Sequence, residues 1–128
     1  MSVVGLGLDL VEVSRIRALL QKSGDRFKER VYTAGEIAYC DSCADGAMNY
    51  AARFAAKEAV AKALGTGFSN GVSWKDIEVL RSEGGVPSVR LHGEAETVAK
   101  TLGVRKVLVT LTHTGTAAAA SAVLLGEN

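Results

Sequence analysis

Residues 3–11 alternate with a period of two. Val4, Leu6, Leu8 and Leu10 form an apolar row, and Val3, Gly5, Gly7, Asp9 and Val11 form the other. This alternation predicts a strand with its apolar face on the even positions. Two glycines on the odd row mark a place where something approaches the backbone closely. The period changes after Ser14: Ile16, Leu19, Leu20, Ser23 and Phe27 follow a helical stripe, with Arg15, Lys22 and Arg26 on a second stripe about 100° away. Gly24 is a possible break in that helix. Thr33-Ala34-Gly35-Glu36 has the capping-box spacing and predicts a helix through Tyr39, with capping a sufficient role for Glu36. Residues 40–46 read as a loop.

The longest helix is predicted over residues 47–64, which hold no Pro or Gly and much Ala, with Asp45 as N-cap and Gly65 just past the end. Residues 68–73 read as a Gly- and Ser-rich loop. Strands over 76–81 and 87–91 form a hairpin through a Glu83-Gly84-Gly85 turn. A short helix over 93–102 turns Ala95, Val98, Ala99 and Leu102 inward and stops at Gly103. Strands over 106–112 and 116–125 meet at His113-Thr114-Gly115, and the four alanines from Ala117 to Ala120 imply close packing against a neighbouring element or chain.

Composition narrows the reading further. The chain has 128 residues, 48% hydrophobic and 23% charged, with a net charge of +1. This suits one domain over residues 1–128, and any basic patch must be local. Nucleic acid and membrane are not expected partners, since no apolar run reaches the length of a span; a cytoplasmic protein is expected. Cys40-Asp41-Ser42-Cys43 has C-x-x-C spacing, but zinc needs two more ligands. Only His92 and His113 remain, at no recognisable spacing. The two cysteines read as reduced thiols near a helix end, and His92 as incidental.

The chemistry-bearing residues are few. On the long helix Glu58 and Lys62 stack one turn apart below Phe54, and Arg53 and Lys57 stack on another side. One reading is an i,i+4 pair on a solvated face. The other is a buried helix with its charges aimed at an anion, which the small residues Gly65-Thr66-Gly67 would also suit. Asp9 lies inside an apolar pattern, where an acid is costly unless it is paired or binds a cation. His113 is either a solvated turn residue or, with Thr112 and Thr114, a phosphate or ribose contact.

Three segments carry a family resemblance: Gly5-Leu6-Gly7-Leu8-Asp9-Leu10, Arg53-Phe54-x-x-Lys57-Glu58-Ala59-x-x-Lys62 with Gly65-Thr66-Gly67, and Leu111-Thr112-His113-Thr114. They resemble the motifs of the 4′-phosphopantetheinyl transferases, and more narrowly the short bacterial holo-[acyl-carrier-protein] synthases. Ser more often stands where Thr112 does, and Phe where Tyr32 does. The resemblance implies an α+β fold, an antiparallel sheet packed on one long central helix. It implies transfer of 4′-phosphopantetheine from coenzyme A to a serine of apo acyl carrier protein, giving the holo carrier and adenosine 3′,5′-bisphosphate, in fatty acid and lipid biosynthesis. Asp9 and Glu58 would be Mg2+ ligands, and Asp9, Glu58 and Lys62 the catalytic residues. Coenzyme A would contact Arg53, Lys57, Lys62, Gly65, Thr66, Gly67, His113 and Thr114. Arg15, Lys22 and Arg26 would dock the carrier. The family assembles as a homotrimer with sites between protomers. Two alternatives stand beside this reading: the same chemistry on polyketide or peptide synthase carriers, and a non-catalytic coenzyme A-binding module.

Overall fold

Alanine permits a helix to sit in a core with its backbone close to its neighbours, and the architecture follows from that. The computed structural model describes residues 1–81 and 84–127. In chain order the elements are β1 (Ser2–Glu12), α1 (Val13–Val31), α2 (Ala34–Ser42), α3 (Gly46–Leu64), β2 (Ile77–Arg81), β3 (Pro87–Leu91), α4 (Gly93–Leu102), β4 (Val104–His113) and β5 (Ala117–Gly126). An antiparallel sheet of order β1-β5-β4 carries α3 across one face, and β2 and β3 form a separate antiparallel hairpin. The fold is the expected α+β arrangement around a long helix, and α3 is buried almost all round, as an apolar helix without a polar face must be.

The facing of β1 reverses the expectation. Its odd row, Gly5, Gly7 and Asp9, looks at α3. A Cβ at Gly5 would collide with the Ala63 carbonyl, and one at Gly7 with the Ala59 carbonyl. Ala118, Ala120 and Ala122 of β5 are buried beneath the same helix. Glycine and alanine thus form the inner layer, and the larger apolar residues are left outside. Leu6, Leu8 and Leu10 are 71%, 67% and 71% exposed. Together with Leu108 they make an apolar outer face on the sheet.

Other boundaries moved for identifiable reasons. Helix α1 is interrupted at Gly24, whose φ is 37° and ψ −113°, so Arg26 does not continue the Arg15–Lys22 stripe. Helix α2 runs on to Ser42, absorbing part of the expected loop. Cys40 is buried there and burial pushes its thiol up to about 12, while Cys43 is half-buried and also free. A 3-10 turn at Trp74–Asp76, not foreseen, precedes β2. In the hairpin turn Glu83 lies outside the described residues. Leu102 of α4 is 41% exposed, so Ala95, Val98 and Ala99 form its inward row. Among the described residues no helix is long and apolar enough to cross a membrane.

A buried ion pair ties the helices to the hairpin. Glu36 closes the α2 capping box with Thr33, and its second oxygen accepts the Val79 amide at 2.8 Å. Lys57 of α3 meets Glu36 at 2.8 Å, with both side chains fully buried. Its ammonium also donates to the carbonyls of Trp74 and Ile77. All three ammonium hydrogens therefore have partners within the fold.

Candidate active site

Helix α3 separates two groups of polar residues. On the β1 flank, the glycine contacts bring the strand against the helix so that Asp9 lies beside the last turns of α3. Lys62 Nζ donates to Asp9 Oδ1 at 3.0 Å and to the Leu8 carbonyl at 3.2 Å. Glu58, one turn earlier, is half-buried. Desolvation raises its carboxyl above the ordinary value, the charge of Asp9 adds to the rise, and Lys62 and Arg15 oppose it. Two carboxylates, one paired with an ammonium and the other reluctant to ionise, form a set that a divalent cation would relieve. Among the described residues no group of three or more metal-ligating side chains occurs.

The exit of α3 adjoins this group. Gly65 and Gly67 have φ of 83° and 57°, a left-handed backbone that glycine adopts without strain. A Cβ at either would meet nothing within 4 Å, so the turn offers an open approach to its backbone. Gly65 N donates to Lys62 O and Gly67 N to Ala61 O, while the Thr66 hydroxyl donates to the Gly67 carbonyl.

On the β4 flank, Arg53 and His113 meet across a cavity of about 290 Å³ that Asn49, Arg81, Gly85 and Pro87 also line. Arg53 is 4% exposed, with Cζ 4.4 Å from the Tyr39 ring centroid and Nε without a hydrogen-bond partner. Arg81 lies near the same ring at 5.4 Å. The described residues around this cavity include no carboxylate, which makes it an anion-favouring hollow. Asn49 and Arg81 were missed from sequence; a lone Arg at the end of a short strand carries no signal of its own.

Two of the expected coenzyme A contacts, Lys57 and Thr114, have partners within the fold. Lys57 is committed to Glu36 and two carbonyls and does not face the coenzyme A contact assigned to it. The Thr114 hydroxyl accepts the amides of Thr116 and Ala117 at 3.2 and 3.1 Å, closing the β4–β5 turn. His92, read as incidental, pairs with Glu78 at 3.0 Å, and Glu78 also accepts the Thr33 hydroxyl at 2.9 Å. The docking candidates Arg15 and Lys22 are exposed on α1; Arg26, beyond the kink, borders a different hollow with Leu19, Phe27 and Arg30.

Comparison with known proteins bears directly on this arrangement. Residues 5–121 match the model of the 4'-phosphopantetheinyl transferase superfamily. The chain is similar to the holo-[acyl-carrier-protein] synthase of Koribacter versatilis, with 49% identity covering 95% of this chain and 98% of that one. Among solved structures it resembles the holo-[acyl-carrier-protein] synthase of Neisseria meningitidis, with a TM-score of 0.89, 29% identity and coverage of 97% and 99%. It also resembles the Helicobacter pylori synthase in complex with coenzyme A, with a TM-score of 0.83, 27% identity and coverage of 94% and 99%.

Proposed function

Because the chain belongs to the 4′-phosphopantetheinyl transferase superfamily, we propose that it transfers 4′-phosphopantetheine from coenzyme A to a serine of apo acyl carrier protein, for fatty acid biosynthesis. The observation that carries this reading is the Asp9, Glu58 and Lys62 group beside the open Gly65–Gly67 turn. The serine oxygen bonds to the phosphorus next to the pantetheine arm, and the bridging oxygen leaves with adenosine 3′,5′-bisphosphate. In phosphoryl transfer the protein mainly positions the groups and neutralises charge. Lys62, exposed beside Asp9, holds a phosphate oxygen. Glu58, whose carboxyl burial raises, takes the serine proton.

The donor set suits Mg2+, which asks for one or two carboxylates and completes its shell with phosphates and waters. Asp9 and Glu58 would hold it, and the chemistry it would supply is neutralisation of the pyrophosphate charge. The Arg53, Arg81 and His113 hollow suits a further phosphate of coenzyme A. Arg15 and Lys22 present cations to an acidic carrier along α1, with rim charges setting on-rate and salt dependence.

Two features support assembly as a homotrimer. The outer sheet face carries Leu6, Leu8, Leu10 and Leu108 in water, a patch of the kind that marks an interaction surface. Moreover, the carboxylate group and the anion hollow lie on opposite flanks of α3, over β1 and β4 with β5 between them. One copy thus holds two half-sites, and a second copy would complete each. Mass spectrometry of apo carrier incubated with the protein, coenzyme A and Mg2+ tests the proposal. A mass gain equal to the phosphopantetheine group is expected, and an unchanged carrier mass would overturn it.

A further inference from the structure

Arg15 is a long exposed side chain at the start of α1, and among the described residues it makes no ion pair. Its near neighbour Arg17 is different, held by Asp45 at 3.2 Å. What Arg15 does have is an aromatic face, with its guanidinium carbon 5.4 Å from the centroid of Phe54. Phe54 is itself one layer of a column. Trp74 stacks on it at 4.7 Å and 28°, and Phe68 stacks on Trp74 at 3.7 Å and 17°.

The column joins four segments of the chain. Phe68 directly follows the Gly65–Gly67 turn, Trp74 opens the 3-10 turn, Phe54 lies one helical turn before Glu58, and Arg15 belongs to α1. Its middle layer is anchored, because the Trp74 carbonyl accepts from the buried Lys57 at 3.1 Å. The far end is partly exposed at Phe68. A cation over a ring is attracted to the ring's negative face, and the attraction depends on where that face points.

We propose that Trp74, with Phe68 behind it, is a positioning residue for Arg15: the stack fixes the face of Phe54 on which the guanidinium rests, and so presents that cation at the edge of the carboxylate group. The positional claim rests on the column alone. Its kinetic consequence rests on the reading above, in which Arg15 meets the acidic carrier.

Trp74→Leu keeps an apolar side chain and removes the stacking ring, while Trp74→Phe keeps a ring. NMR of the Arg15 side chain reads its position directly. In the wild-type protein its δ-methylene and Nε–H signals should show the ring-current displacement of a group over Phe54. Trp74→Leu should lose most of that displacement, and Trp74→Phe should keep it. In kinetics, Trp74→Leu should raise the carrier KM ~2- to 5-fold, the size of an exposed cation–π contact, with the coenzyme A KM unchanged. Placed in an Arg15→Gln background it should add nothing. Unmoved Arg15 signals in folded Trp74→Leu would overturn the proposal, as would an equal KM rise with and without Arg15. If Trp74→Leu fails to fold, Phe68→Leu at the partly exposed end is read instead, with a smaller change in the same directions expected and unmoved Arg15 signals again counting against it. Should Arg15→Gln leave the carrier KM at the wild-type value, the docking reading fails, while the NMR result still decides the positional claim.

Discussion

Burial of Glu58 beside Asp9 carries a cost in the folded protein. The folded-state pKa of Glu58 lies above its unfolded value, through burial first and Asp9 second. Its contribution to stability is therefore complete at acid pH and is lost as pH rises through the raised pKa. At neutral pH the ionised carboxylate opposes folding. Glu58→Gln should accordingly melt higher than wild type at neutral pH, and the gap should close as pH falls into the ordinary carboxylate range. Thermal scans across pH check this, and a variant less stable at every pH would refute it. On the proposed reading the same change should abolish transfer, as should Asp9→Asn, and the double variant should be no worse than either single, since residues that act as a unit are non-additive. Lys57 is the contrasting case. Lys57→Met leaves Glu36 buried without its partner and should cost ~3–5 kcal/mol by denaturant unfolding. A variant of wild-type stability with a raised coenzyme A KM would return Lys57 to the ligand. Asp9, Glu58 and Lys62 could be picked out from sequence because an acid interrupts an apolar alternation and because polar residues are scarce on an Ala-rich helix. Lys57 could not be separated from Lys62 on that basis. What distinguishes them is Glu36, a residue of another helix, and His92 was misjudged for the same reason, its partner Glu78 lying on the hairpin.

Elements were legible where one segment decides its own state, and their facing was legible only in part. The capping box of α2, the left-handed Gly65 after α3 and the hairpin strands all formed where the local chemistry put them. The glycines of β1 correctly signalled a close approach. Alternation alone could not say which row of that strand meets the core, because the usual rule places the larger apolar row inside. Here the partner is an alanine helix that packs backbone against backbone, so the inner row must be small. Gly7→Ala tests this layer. Its Cβ would strike the Ala59 carbonyl, and backbone cannot yield as a side chain tip does. Overpacking of this kind typically costs ~1–3 kcal/mol. Since the same contact holds β1 against Glu58 and Lys62, activity should fall more steeply than stability. A Gly7→Ala protein with wild-type turnover would show that Asp9 is placed by something else.

For the molecule as a whole, the outer sheet face is the feature a single chain leaves unresolved in water. Ala119 lies on that face, bordering a shallow hollow of about 110 Å³ with Leu8, Thr110, Thr112 and Ser121. Ala119→Trp should fill it, block the approach of another copy and lower the mass seen by light scattering, with loss of transfer. A monomer mass for the wild-type protein with full activity would overturn the assembly reading.

On the proposed trimer reading, the placement of the carboxylate group and the arginine hollow on opposite flanks of α3 has a genetic counterpart. Asp9→Asn disables one flank and Arg53→Gln impairs the other, so each homogeneous protein should be deficient. Refolded together in equal amounts, the copies assort at random. About one junction in four then receives an intact carboxylate flank from one copy and an intact arginine flank from its neighbour, as in any closed ring of head-to-tail contacts. Two defective alleles should therefore complement each other within one assembly, whereas two alleles altered on the same flank should not.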